Sequence, residues 1–153
     1  MKKILFVCHG NICRSPMAEF VMKDLIDQYG LEDQIYVESR ATSTEDIGDD
    51  IYPLARDLLT EKDIECEGHE ARQITKEDLD NFDMIVAMDD NNLKNLDKMF
   101  GDYQADKISL LMDHTKDFRD VEDPWYTRNF EQTYKDVVKG CHAILDELGI
   151  ELE

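Results

Sequence analysis

The chain has 153 residues, of which 42% are hydrophobic and 8% aromatic, and this length and composition are typical of one folded domain with one core. Its 17 basic residues against 36 acidic residues give a net charge of −19, which makes nucleic acids and anionic membranes poor partners. We therefore predict a single domain spanning residues 1–153 that binds neither nucleic acid nor membrane.

The first 18 residues differ in charge from the rest of the chain. They contain Lys2, Lys3 and Arg14 and no acidic residue, so they form a cationic island in an acidic protein. Their apolar run, residues 4–8, is shorter than the roughly 7 to 15 residues of a signal-peptide core, and no later segment is long enough to span a membrane. We expect a cytoplasmic protein whose four cysteines are thiols rather than a disulfide framework.

The first predicted elements are a strand and a helix joined by a short loop. Residues 3–8 are predicted to form a strand that is buried on both faces, because its apolar residues do not alternate with polar ones. The helix is predicted to begin after the loop, with Ser15 as its N-cap and Pro16 at its first position, and to end at Gly30.

Strands and helices alternate along the rest of the chain. The predicted strands are residues 35–39, 84–88 and 107–112, and the predicted helices are residues 53–62, 75–82, 91–100 and 129–148. In the helix at 53–62, the residues predicted to face the core are Leu54, Leu58 and Leu59. This alternation predicts an α/β fold, namely a three-layer sandwich with a central four-stranded parallel sheet. Ligands bind at the carboxyl ends of such strands, where Cys8, Ser39 and Asp89 lie.

The loop after the first strand has the residue types of a phosphate-binding site. Its backbone N–H groups and the positive end of the following helix are predicted to face one anion, and Gly10 and Asn11 tolerate the left-handed backbone that such a loop needs. The guanidinium of Arg14 pairs with two phosphoryl oxygens at once, and these positive groups favour the thiolate of Cys8. The residues predicted to bind phosphate are Cys8, His9, Gly10, Asn11, Ile12, Cys13 and Arg14. A thiolate beneath a phosphate is a nucleophile directed at phosphorus.

Two segments resemble those of a known enzyme family. Residues 7–16 resemble the signature of the low-molecular-weight protein tyrosine phosphatases, and Asp123-Pro124-Trp125-Tyr126 resembles the general-acid loop of that family. The resemblance continues through residues 39–43, 71–78 and 88–89. It implies the phosphotyrosine protein phosphatase I-like fold and the hydrolysis of phosphotyrosine in proteins, or of aryl phosphates, by a monomer or weak dimer without metal or cofactor.

The catalytic roles follow from charge and from the resemblance. Cys8 is predicted to attack phosphorus and form a phosphocysteine, Arg14 to stabilise charge on the phosphoryl oxygens, and Asp123 to act as general acid and then as general base. The resemblance implies supporting roles for further residues around the loop, namely Asn11, Ser15, Ser39, His69 and Asp89. It also implies that Cys8 and Cys13 form a protective disulfide on oxidation.

The predicted substrate slot has two unlike sides. Trp125 and Tyr126 are predicted to form one wall, on which a phenyl ring stacks. Glu45 lies where many members of the family carry an aromatic residue, and Asp46 follows it, so the facing wall is predicted to be acidic. Substrates with basic residues beside the phosphotyrosine are therefore expected to be preferred.

Two other enzyme classes and one class of binding protein are alternatives to this prediction. Arsenate reductases share the fold and loop but relay a disulfide through two further cysteines after the third strand, and residues 84–100 contain none. Protein arginine phosphatases typically carry Thr where this loop has Ile12, whose larger apolar side chain narrows the pocket against a guanidinium and accepts a flat ring. A module that only binds phosphate needs neither Cys8 nor Asp123.

Overall fold

Four parallel strands form the centre of the protein. The computed structural model describes residues 1–150, and its sheet has the order β2-β1-β3-β4. The strands are β1 (Lys2–Cys8), β2 (Ile35–Ala41), β3 (Met84–Ala87) and β4 (Ile108–Leu110). The helices are α1 (Arg14–Tyr29), α2 (Pro53–Glu61), α3 (Lys76–Asn81), α4 (Asp90–Phe100), α5 (Pro124–Thr127) and α6 (Phe130–Glu147).

Two groups of helices cover the two faces of the sheet. Side chains alternate between faces along a strand, so β1 directs Ile4 and Phe6 into one core and Leu5 and Val7 into another. The first core includes side chains of α1, α2 and α6, and the second includes side chains of α3 and α4. The architecture is a three-layer α/β sandwich with a central four-stranded parallel sheet, so the predicted fold class is confirmed.

Most predicted boundaries agree with the structure to within two residues. β2 is longer than predicted because it continues to Ala41, and the fourth strand is shorter because a 3₁₀ turn at Leu111–His114 follows it. Gly30 ends α1 as predicted, in the left-handed conformation with a φ of 65°. The single-turn helix α5 was not predicted, since it lies in a segment interpreted as a loop.

Three predictions about the positions of residues in helices are wrong. Ser15 is not the N-cap of α1 and Pro16 is not at its first position, because the helix begins at Arg14. The Ser15 hydroxyl contacts Cys8 Sγ instead. Leu54 does not face the core, because its side chain is 47% exposed, whereas Ala55 is fully buried. Leu58 and Leu59 are buried as predicted, so the prediction for the buried face of α2 is wrong only at Leu54.

The fold brings the carboxyl ends of the strands to one edge of the sheet. β1 ends at Cys8 and runs directly into the loop that leads to α1, while the neighbouring β3 ends just before Met88 and Asp89. This edge holds the candidate site described below. Among residues 1–150, no helix combines the length and apolar character that crossing a membrane requires.

Candidate active site

Cys8 lies at the bottom of the loop between β1 and α1. Its Sγ atom accepts hydrogen bonds from the backbone N–H groups of Asn11 (3.3 Å) and Ser15 (3.4 Å), and it lies 3.0 Å from Ser15 Oγ. The residue is only 3% exposed. The sulfur therefore lies among backbone N–H donors, near the positive end of α1.

Asn11 holds the loop in a strained conformation. It is fully buried and has a φ of 60°, a backbone conformation that residues other than glycine rarely adopt. Its Nδ2 atom donates to Ser15 Oγ (2.8 Å) and Ser39 Oγ (2.9 Å), and its Oδ1 atom accepts from the backbone N–H of Arg72 (3.1 Å). His69 Nε2 donates to the Asn11 carbonyl oxygen at 2.6 Å. These hydrogen bonds fix the left-handed turn and join the loop to β2 and to residues 69–72.

Glu19 extends this network and was missed by the sequence analysis. Its carboxylate is 8% exposed and accepts hydrogen bonds from Ser39 Oγ and from Lys23 Nζ, each at 2.5 Å. The only sequence signal for it is an acidic residue on the buried face of α1 with a lysine four positions later. Glu19 therefore orients the Ser39 hydroxyl that in turn holds Asn11.

Arg14 is the largest fully buried charged side chain of the site. Its Nη1 atom donates to Asp89 Oδ2 (2.6 Å) and to the Val121 carbonyl oxygen (2.9 Å), and its Nη2 atom lies 3.5 Å from Asp123 Oδ2. Burial alone lowers the pKa of Arg14, but the charges of Cys8, Asp89 and Asp123 outweigh it and leave that pKa raised. The guanidinium is thus a permanent positive charge beside Cys8.

Asp123 lies at the start of the single turn α5. Its Oδ1 atom accepts a hydrogen bond from the backbone N–H of Trp125 at 3.0 Å, so the carboxylate caps this turn. Two residues earlier, the Val121 N–H donates to the Met88 carbonyl oxygen at 2.8 Å and fixes the segment to the end of β3. The side chain of Asp123 is 27% exposed, so its carboxyl group has access to solvent.

The side chains of Cys8, Arg14 and Asp123 border one cavity of 430 Å³. The residues that line it are Cys8, His9, Gly10, Ile12, Cys13, Arg14, Glu45, Asp46, Asp123, Trp125 and Tyr126. Cys8 and Arg14 are its buried part, whereas Trp125 and Tyr126 stand at the rim, 45% and 82% exposed. All residues predicted to be catalytic, to bind phosphate or to contact a ring therefore meet at this cavity, except Asn11, which lies behind the loop.

The acidic side of the cavity is formed by Glu45 and Asp46. Glu45 Oε2 lies 3.0 Å from His9 Nε2 in the phosphate loop. Asp46 lies against Gly10, where a Cβ atom would overlap its carboxylate, so a larger residue at position 10 would displace the Asp46 side chain. Burial and the neighbouring Asp49 and Glu45 raise the pKa of Asp46. Asp46 itself lines the cavity, whereas the sequence indicated it only as the acidic neighbour of Glu45.

The second cysteine of the loop differs chemically from the first. Cys13 is 4% exposed, and its burial together with the nearby Cys8 and Asp123 raises the pKa of its thiol far above neutrality. It therefore stays a neutral thiol. Cys8, Cys13, Cys66 and Cys141 are all free. In the described part of the chain, no group of three or more His, Cys, Asp or Glu side chains is arranged to hold a metal ion.

Comparison with known proteins gives the family. A family model described as low molecular weight phosphotyrosine protein phosphatase matches residues 3–153. The chain belongs to this family. It is 40% identical over 153 residues to the low molecular weight protein-tyrosine-phosphatase YfkJ of Bacillus subtilis, covering 99% of this chain and 98% of that one. It is 36% identical to the low molecular weight phosphotyrosine protein phosphatase of Homo sapiens, with 95% of each chain covered.

Solved structures agree with this assignment to the phosphotyrosine phosphatase family. The crystal structure of YfkJ from Bacillus subtilis superposes with a TM-score of 0.93 at 39% identity and covers 97% of this chain and 95% of that one. A Drosophila arginine phosphatase superposes with a TM-score of 0.88 at 31% identity and covers 99% of this chain and all of that one. The chain is therefore a protein phosphatase, and the predicted enzyme class is confirmed.

Proposed function

We propose that this enzyme hydrolyses phosphotyrosine monoesters through a phosphocysteine intermediate on Cys8. The observation that carries the proposal is the position of Cys8 Sγ, which accepts two backbone N–H groups in a cavity that also contains Arg14 and Asp123. A thiolate, a permanent cation and a carboxyl group in one cavity supply the nucleophile, the charge stabilisation and the proton that the reaction requires.

The first step transfers the phosphoryl group to Cys8. A bond forms between Sγ and phosphorus while the bond from phosphorus to the phenolic oxygen breaks, and the Asp123 carboxyl donates its proton to that oxygen. The loop N–H groups and the Arg14 guanidinium stabilise the charge on the equatorial oxygens. Since Asp89 and the Val121 carbonyl hold Nη1, they direct the remaining edge of the guanidinium toward phosphate.

The second step releases inorganic phosphate. The Asp123 carboxylate takes a proton from water as the water oxygen binds phosphorus and the bond from phosphorus to sulfur breaks. Ser15 Oγ, 3.0 Å from Cys8 Sγ, donates a hydrogen bond to the departing sulfur. Neither step uses a metal or a cofactor, because Arg14 and the backbone neutralise the phosphoryl charge.

Phosphoarginine is the second candidate substrate. Glu45 and Asp46 line the cavity and would attract a guanidinium, and a Drosophila arginine phosphatase is among the similar structures. Against this, the Ile12 side chain occupies the cavity wall with an apolar surface, and Trp125 and Tyr126 offer aromatic faces to a phenyl ring. These apolar contacts favour phosphotyrosine.

Parallel kinetics on the two phosphoamino acids test the choice. We expect kcat/KM for a phosphotyrosine peptide to exceed that for the matched phosphoarginine peptide by at least about tenfold, the discrimination that a misfitting side chain typically produces. The variant Ile12→Thr should narrow the difference. Faster turnover of phosphoarginine by the wild type would assign the enzyme to the other substrate.

The pH dependence of the rate tests Asp123. The first step needs a proton on the leaving oxygen, which Asp123 would donate, so the shape of the kcat/KM profile from about pH 5 to pH 8 should differ between the wild type and Asp123→Ala. The variant Asp123→Ala has no such proton to donate, and its kcat/KM on phenyl phosphate should be lower by about 10²-fold or more. Profiles of equal shape for both proteins would remove Asp123 from this role.

The acidic cavity wall predicts a preference for basic peptides. Lys or Arg beside the phosphotyrosine should raise kcat/KM over Asp or Glu by about fivefold at low salt, and the difference should shrink in high salt because exposed charges are screened. Glu45→Lys should reverse the ranking, whereas Glu32→Lys, an exposed acid outside the cavity, should not. A faster reaction with acidic peptides would contradict the account.

The 153 residues act as one domain, in the cytoplasm, as a monomer or weak dimer. Its partners are phosphotyrosine-containing proteins, because a net charge of −19 repels nucleic acids and anionic membranes. A single phosphate is still accepted because the charges of the loop act at short range.

A further inference from the structure

Tyr52 connects the two loops that form the active site. It is the residue before α2, and its backbone N–H donates to the Ile12 carbonyl oxygen of the phosphate loop at 2.8 Å. Its ring packs edge-on against the ring of Trp125, with centroids 5.0 Å apart, and its hydroxyl accepts a hydrogen bond from Arg128 Nη1 at 3.0 Å. One residue thus contacts the phosphate loop through its backbone and the general-acid turn through its side chain.

Arg128 is the counterpart of Tyr52 on the general-acid turn. Its guanidinium lies 5.3 Å from the ring centroid of Trp125 and 5.9 Å from that of Tyr52, within the range of cation–π attraction. Its backbone closes α5 in the left-handed conformation, with a φ of 60°, and its N–H donates to the Pro124 carbonyl oxygen at 2.9 Å. A non-glycine residue in this conformation is uncommon and depends on contacts that hold it.

The turn between these contacts is too short to be stable alone. A helix of four residues gains little from its own hydrogen bonds, so α5 depends on its surroundings. At its start, Val121 is fixed by Met88 and Arg14. At its end, Arg128 and Trp125 contact Tyr52, whose ring also stacks on that of Phe130 at the start of α6, with centroids 5.9 Å apart. The general acid lies between these two attachments.

We infer that Tyr52 and Arg128 are positioning residues that set the distance from the general acid to the phosphate loop. The inference rests on the proposed function of Asp123. Neither side chain lines the cavity, so both act through Trp125, whose N–H donates to Asp123 Oδ1. A displacement of Trp125 would move the carboxyl away from the leaving oxygen, and proton transfer requires hydrogen-bond reach.

Leaving-group dependence separates this role from a merely structural one. Phenyl phosphate needs a proton on its leaving oxygen, whereas 4-nitrophenyl phosphate releases a stable anion and needs it less. For Arg128→Gly, which keeps the left-handed backbone and removes the guanidinium, we expect kcat/KM to fall about tenfold on phenyl phosphate and less than about threefold on 4-nitrophenyl phosphate. Tyr52→Phe, which removes only the hydroxyl, should show the same ordering with smaller losses.

The matched control is Asp63→Gly. Asp63 is exposed, lies outside the cavity and has a φ of 59°, so this variant makes the same backbone change at a remote left-handed position. Its rates on both substrates should equal those of the wild type. Circular dichroism establishes whether each variant is folded, and Tyr52→Phe carries the test if Arg128→Gly is not.

A double variant shows through which group Arg128 acts. When Asp123 is already alanine, adding Arg128→Gly should change kcat/KM on phenyl phosphate by less than about twofold, because the acid that Arg128 positions is gone. Equal losses on both substrates, or a full tenfold further loss in the Asp123→Ala protein, would overturn the inference. Wild-type protein that hydrolyses neither aryl phosphate would instead contradict the proposed function.

Discussion

The variant Cys8→Ser is expected to hydrolyse 4-nitrophenyl phosphate at least about 10⁴-fold more slowly than the wild type, as is typical when a nucleophile is removed. The loop N–H groups and the end of α1 stabilise a charged sulfur, whereas a serine hydroxyl stays neutral at the same position and attacks phosphorus poorly. Steady-state kinetics with an enzyme concentration high enough to detect the residual rate provide the measurement.

Two controls make the result specific to the nucleophile. Cys66→Ser replaces another buried cysteine, which lies outside the active-site cavity, and it should keep near wild-type activity. Cys8→Ser should still bind inorganic phosphate, since the N–H groups and Arg14 remain, and calorimetry measures that affinity. Comparable rates for wild type and Cys8→Ser would exclude the phosphocysteine mechanism.

The variant Arg14→Lys is expected to lose about 10²- to 10³-fold in kcat/KM, the range found when a transition-state charge contact is removed. The Arg14 side chain contacts Asp89 and the Val121 carbonyl with Nη1, while Nε and Nη2 form the edge that we expect to pair with phosphate, Nη2 lying 3.5 Å from Asp123 Oδ2. A lysine ammonium is a single point of charge, so it cannot keep the Asp89 contact and form a paired contact with phosphate. The loss should therefore be severe although the charge is conserved.

The control for Arg14→Lys is Arg56→Lys. Arg56 also pairs with a carboxylate, that of Asp50, but its side chain is 42% exposed and lies outside the active-site cavity. Its replacement should leave kcat/KM unchanged within about twofold, because Arg56 does not reach the substrate and exposed ion pairs contribute little to folding stability. Full activity of Arg14→Lys would show that the fork geometry of the guanidinium is not needed.

The parts of the site that the sequence predicts are those carried by contiguous residues. The apolar run of β1, the loop after it and the stop at Gly30 follow from local rules of burial and backbone conformation, and the structure confirms these elements. Asp89 also has a local signature, since it caps α4 by accepting from the Asn92 N–H at 2.8 Å. Its contact with Arg14 is not predicted by the sequence, which indicates only a supporting role around the loop.

The parts that the sequence does not predict depend on contacts distant along the chain. Tyr52 and Arg128 are 76 residues apart, and no periodicity of either segment indicates that they meet. The first turn of α2 is predicted wrongly for a related reason, because nine residues contain too few turns to locate every residue of the buried face. Leu54 is consequently exposed, and Ala55 faces the core.

The charge pattern has a more specific meaning in the structure than in the sequence. The cationic first 18 residues contain Arg14, but in the folded protein its charge is surrounded by Asp89 and Asp123 from the acidic part of the chain. These carboxylates keep the guanidinium oriented and charged before the substrate arrives. An acidic protein can therefore hold an anion at one point without attracting extended polyanions.

Covalent phosphate on Cys8 is the most direct test of the account. Wild-type enzyme is mixed with an aryl phosphate, quenched within the first turnovers and digested, and mass spectrometry locates the added phosphate. We predict phosphate on the peptide that contains Cys8, on its sulfur and not on Cys13, and absent from Cys8→Ser. Product formation by the wild type with no phosphate on Cys8, or with phosphate on another residue, would contradict the account.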